Sequence, residues 1–144
     1  MAHDPKKLVG RMFDEVINQR QVDRIDEFFD PDFVDHGPGI DLHGREEFRA
    51  AITAWLGAVS DLRCEVSHLI ADGDTVAWVV HSTGTHTGDS LGFPATGKRF
   101  DTLSANVGIV RNGKAVEHWA EQGMLAMLQQ IGVMPSMAPP QAVS

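Results

Sequence analysis

The chain has 144 residues, 42% hydrophobic and 22% charged, which is enough for one core and too little for two. A formal net charge of −8, with no basic run longer than the pair Lys6 and Lys7, argues against nucleic acid and anionic membrane surfaces as partners. No apolar run approaches the roughly 18 residues of a membrane span, and the single cysteine, Cys64, excludes an intrachain disulfide, which suits a cytoplasmic setting.

Asp4 and Pro5 read as the N-cap and first residue of a helix. Leu8, Val9, Met12, Phe13, Val16 and Ile17 then recur at helical spacing and form its buried stripe, leaving Arg11, Asp14, Glu15 and Arg20 outside. A second, short helix is expected over 22–29, stopped by Asp30-Pro31, and an extended piece DFVDH over 32–36 leads into a Gly37-Pro38-Gly39 turn. Gly44 introduces a third helix over 45–58, with Phe48, Ile52, Trp55 and Leu56 inward. Strands follow over 62–71 and 75–86, joined by the Asp72-Gly73-Asp74 hairpin. A short helix over 124–131 ends at Gly132, and a tail over 133–144 carries Pro135, Pro139 and Pro140. Helices first and strands after them describe an α+β fold rather than alternating βαβ units.

The stretch 84–119 organises the rest. A Gly- and Pro-marked loop over 89–98 precedes a strand over 99–111, a turn at Asn112 and Gly113, and a returning strand over 114–120. On the first strand Phe100, Thr102, Ser104, Asn106 and Gly108 share one face, and Leu103, Ala105, Val107 and Ile109 share the other. A face of small and polar groups in mid-sheet needs water or a ligand, so it is expected to line a cavity. If the turn carries one extra residue, Gly108 lies opposite His118 and Asn106 opposite Ala120.

His118 is therefore the first candidate for chemistry, since an imidazole titrates near neutrality and Gly108 leaves it uncovered. Asp35 and His36 point to opposite sides of an extended segment, and either can face the cavity. His81, in mid-strand among valines, needs a partner and is read as a second polar group of the wall. Trp55 is core or cavity roof, and His86 shapes the loop after it. No His-Glu-x-x-His, Cys/His cluster, nucleophile elbow or phosphate loop occurs, so neither a metal nor an organic cofactor is expected. The face holding Val107, Ile109 and Trp119 is too apolar to stay wet, and a homodimer is expected to cover it.

The run GTHTGDSLGFPATGKRF, the strand after it, the Asn112–Gly113 turn and EHW together resemble the SnoaL-like polyketide cyclases of the nuclear-transport-factor-2-like superfamily. The resemblance extends from about Leu8 to Gly132. It implies one cone-shaped α+β barrel domain over 1–132, with helices over the concave face of a curved, mostly antiparallel sheet, and an added tail. It also implies a hydrophobic, oxygenated small-molecule substrate, ring closure by intramolecular aldol condensation, and no cofactor. In the founding cyclases an aspartate of the last strand exchanges the proton; that position is Ala120 here. The partner histidine corresponds to Asn106, and a pocket asparagine to Asp35. The expected acid/base pair is thus Asp35 with His118, and Asn106, His81, His36, Trp55 and Ser104 are expected to contact substrate. A non-catalytic ligand-binding protein and a dimeric interaction module are the alternatives.

Overall fold

The computed structural model describes residues 4–135 except Pro38 and Gln122, so that turn proline and the tail from 136 onward fall outside it. Asp4 caps helix α1 (Pro5–Arg11) by accepting from the backbone N–H groups of Lys6 and Lys7 at 3.1 and 3.2 Å. The helix continues in wider π-helical turns over Met12–Asn18, with Val16 and Ile17 buried as their spacing predicts. Arg20, expected on the outer face, instead donates to the carbonyls of Leu56, Val59 and Ser60 and so covers the C-terminal end of the third helix.

The predicted helix over 22–29 resolves into a 3-10 turn, Val22–Arg24, and a single α-turn, α2 (Ile25–Phe28). Phe29 already opens strand β1 (Phe29–Gly37), so Asp30-Pro31 lies inside a strand instead of ending a helix. Pro31 is tolerated because the ladder to the neighbouring strand is interrupted between Phe29 and Val34, where no donor is asked of it. Strand β2 (Ile40–His43) was not expected; four residues are too few to show a period. Gly44, at φ +90°, turns the chain into α3 (Arg45–Ala58).

Strands β3 (Arg63–Asp72), β4 (Thr75–Thr85), β5 (Arg99–Arg111) and β6 (Lys114–Glu121) follow, and α4 (Met124–Gln130) closes the described chain. A Schellman motif ends α4: Val133 N–H donates to Leu128 and Gly132 N–H to Gln129. The sheet order is β2-β1-β6-β5-β4-β3, with β1–β6 parallel and every other neighbour antiparallel. It does not close into a complete barrel, because β2 and β3 remain edges. Asn18 covers the start of β3, pairing with both backbone groups of Cys64 at 2.8 Å.

The helices pack on one face of this sheet, and Val9, Val16, Ile25, Phe28, Phe33 and Phe48 join them to it. This is the predicted α+β arrangement. Gly108 lies opposite His118 and Asn106 opposite Ala120 as expected, but the extra residue is not in the turn: Arg111 pairs with Lys114 across Asn112 and Gly113, and the bulge is Val116 of β6, between the Val110–Ala115 and Ile109–Glu117 pairs.

Candidate active site

Between the helices and the inner sheet face lies a cavity of about 580 Å³. Apolar side chains of α1 and α3 form its roof, and Leu91 and Met127 reach it from the 87–98 loop and α4. That loop is anchored by Thr87 and Gly88, whose N–H groups both donate to Ala58 O. His86 is fully buried beneath it, with Nδ1 accepting from Thr96 N–H at 3.1 Å, which is the loop-shaping role expected of it.

The polar end of the cavity is built where β1, β6 and β5 lie side by side. Asp35 and His118 are direct partners in the parallel β1–β6 ladder, so both side chains leave the sheet on the same side. His118 Nδ1 lies 2.6 Å from Asp35 Oδ1, and its Nε2 lies 2.9 Å from Asn106 Oδ1. Asn106 in turn donates from Nδ2 to the carbonyl and hydroxyl of Ser104 at 3.3 and 3.1 Å. Asp35 and Asn106 are buried, and the His118 side chain is 17% exposed, so water screens the cluster poorly.

The hydrogen bonds fix the proton count. A backbone carbonyl only accepts, so Ser104 O claims the amide NH₂ of Asn106 and turns Oδ1 toward His118. Oδ1 also only accepts, so Nε2 carries a proton. A further proton then bridges Nδ1 and Asp35, giving either a carboxylate–imidazolium pair or its neutral equivalent. Among the described residues Asp35 Oδ2 accepts no hydrogen bond.

Trp78 stacks over the His118 ring, at 5.6 Å between centroids and 16° between planes. It can do so because residue 108 is glycine: a Cβ there would stand 3.2 Å from Trp78 Cη2. The buried Trp78 Nε1 has no hydrogen-bond partner among the described residues. Cys64 also lines the cavity, its thiol pushed above the usual range by burial. Asp35 is the carboxylate that faces the cavity; Glu117 borders it but turns its carboxylate outward to His36, and no Lys or Arg occurs among the described lining residues.

The structure thus brings Asp35, His118, Asn106, Ser104 and Trp55 to one cavity. It sends His81 and His36 elsewhere. His81 pairs with Leu103, so alternation turns it to the outer face, where Nε2 meets Asp101 Oδ1 at 2.6 Å. The valines around it sit on both faces of β4 and do not mark the inner one. His36 follows Asp35 in an unbroken stretch of β1 and therefore also points outward, 2.7 Å from Glu117 and stacked on Trp119. Trp78 and Ser82 are the wall residues the sequence reading missed. Their signal was the β4–β5 register: Trp78 pairs with Asn106 and Ser82 with Thr102, so an inward Asn106 requires an inward Trp78.

Residues 7–131 match the model of the SnoaL-like polyketide cyclase family. The chain belongs to that family. An aklanonic acid methyl ester cyclase of Streptomyces peucetius is 30% identical over 132 residues, spanning 87% of this chain and 88% of the relative. The structure of IdmH of Streptomyces antibioticus, an inferred polyketide cyclase, superposes with a TM-score of 0.77 at 29% identity, covering 90% of this chain and 99% of IdmH. AclR of Streptomyces galilaeus, an inferred hydroxylase, superposes at 0.79 with 27% identity, covering 92% of this chain and 83% of AclR. The fold is therefore the α+β cone of these proteins.

Proposed function

We propose that this protein is an acid/base enzyme of cyclase type, in which Asp35 and His118 move a proton on a neutral, hydrophobic polyketide bound in the cavity. The observation that carries the reading is the Asp35–His118–Asn106 chain, buried at the polar end of a mostly apolar cavity. Asp35 Oδ2 takes a proton from a carbon flanked by carbonyls. The enolate so formed attacks a carbonyl carbon of the same molecule, and the resulting alkoxide receives its proton from the Asp35–His118 pair. One C–C bond forms, the proton returns to the product, and no oxidant or cofactor is consumed. The indole N–H of Trp78, without a partner among the described residues, is a donor that a substrate oxygen can satisfy on a small side-chain movement.

The ligand is uncharged in this reading. A free carboxylate in the cavity would face Asp35 with no lysine or arginine among the described lining residues to offset it. The cyclase relative's substrate, aklanonic acid methyl ester, has that character and is the first compound to assay. Product of unchanged mass and altered retention, formed by wild type and not by Asp35→Asn, supports the reading. Binding without conversion would favour a carrier of the same ligand. That second reading draws on one observation: Ala120, at the position of the founding cyclases' aspartate, has no proton to exchange.

The outer face of the sheet exposes Leu103 (66%), Val107 (39%) and Trp119 (40%), and a second copy of the chain covers it in this account. Sedimentation at micromolar concentration should give a dimer; a monomer contradicts this part.

A further inference from the structure

Two His–carboxylate pairs stand back to back across the parallel β1–β6 ladder. At the site this ladder consists of Val34 beside Glu117, Asp35 beside His118 and His36 beside Trp119, after the interruption that follows Phe29. Inside, β1 supplies the carboxylate and β6 the imidazole: Asp35 and His118, 2.6 Å apart. Outside, the roles are exchanged. His36 of β1 reaches Glu117 of β6 at 2.7 Å, is flanked by Asp41 of β2 at 3.2 Å, and stacks on Trp119 at 5.0 Å.

We infer that His36 and Glu117 are positioning residues, an external clamp that holds β1 against β6 in the register at which Asp35 and His118 meet inside. The inference rests on the proposed function only in taking the inner pair as the working one. The physical argument is leverage. Asp35 and His36 are adjacent, as are Glu117 and His118, so any slip or splaying of the two strands that lengthens one pair lengthens the other. The interrupted ladder offers few backbone bonds to resist such splaying. A buried short contact between two ionisable groups also loses much of its strength with small displacements, whereas His36 of the outer pair has three partners to hold it, Glu117, Asp41 and Trp119. Neither His36 nor Glu117 has to touch substrate to act in this way.

The test is ¹⁵N and ¹H NMR of protein labelled in histidine, following the Nδ1–H resonance of His118, whose downfield position reports the short bond to Asp35. Asp35→Asn should move this resonance; the variant serves as control for the inner pair. His36→Ala and Glu117→Ala should each move it upfield while the amide spectrum of β4–β5 stays in place, and Glu117→Gln, which keeps a hydrogen-bond acceptor, should restore most of the shift. With a turned-over substrate in hand, the two alanine variants should lower kcat about tenfold and leave KM nearly unchanged. If Asp35→Asn moves the His118 resonance and the outer variants do not, the clamp is overturned and the inner pair stands. If Asp35→Asn leaves it unmoved, no inner pair exists to be positioned and both proposals fall.

Discussion

Three histidines of this sheet each meet a carboxylate at nearly the same distance, and only one pair lies on the inner face. His118–Asp35 and His81–Asp101 are both 2.6 Å apart and His36–Glu117 is 2.7 Å apart. What separates them is burial: side-chain exposure is 17% and 7% in the first pair, 41% and 71% in the second, and 28% and 36% in the third. A hydrogen-bonded His–carboxylate pair is thus no mark of chemistry. The same contact carries different weight where water is excluded, because there an unmatched proton or charge has no solvent to turn to.

The largest expected difference between the faces is in turnover. Asp35→Asn or His118→Gln should each reduce it by about 10²–10⁴-fold, the usual weight of a positioned acid or base, whereas His81→Ala should leave steady-state kinetics unchanged. Equal losses from the inner and outer pairs would erase the distinction. Next comes packing. Gly108→Val should destabilise the fold by about 1–3 kcal/mol in urea unfolding, because its branches press on Trp78, already 3.2 Å from where a Cβ would lie. Its outward neighbour Val107 is 39% exposed, and Val107→Ala in the monomer should cost well under that. His81→Ala should change stability by no more than about 0.5 kcal/mol, as exposed ion pairs do.

The smallest effect is a pH dependence of the outer clamp. The hydrogen bond that Glu117 accepts, with help from Asp41, raises the His36 imidazole above its ordinary range. The charged form is thus favoured in the folded state. The contribution is fully present below the ordinary imidazole value and fades as pH rises through the raised one. Thermal melts from pH 5.5 to 8.5 should show a slight decline that His36→Gln removes; a decline of the same size in the variant would assign it to another group.

Most of the fold was legible because helical spacing and strand alternation are strong signals over long elements. α3 and β5 matched their predicted spans, and Gly108 lies beside His118 as expected, although the extra residue that sets this register is Val116 of β6 and not a turn residue. Short pieces failed where no period can develop: β2 has four residues, and β1 begins inside what reads as a helix. Within the candidate site, the inward set on β5 followed from alternation alone. His81 did not, since hydrophobic neighbours on both faces of β4 hide the phase of a strand buried on one side and half-covered on the other. Pairing β4 to β5 residue by residue recovers that phase through Trp78 and Asn106. The contact between Asp35 and His118 is a parallel pairing of segments 83 residues apart, and no local pattern announces it.

The central claim, that Asp35 and His118 form the group that moves a proton inside the cavity, is tested most directly by deuterium incorporation. An aromatic β-keto ester incubated with the protein in D₂O should gain deuterium at the carbon between its carbonyls faster than in buffer alone. Asp35→Asn and His118→Gln should bring the rate back to that of buffer while still binding the ester. Exchange that persists unchanged in both variants, or wild-type protein that binds the ester without accelerating exchange, would contradict the account.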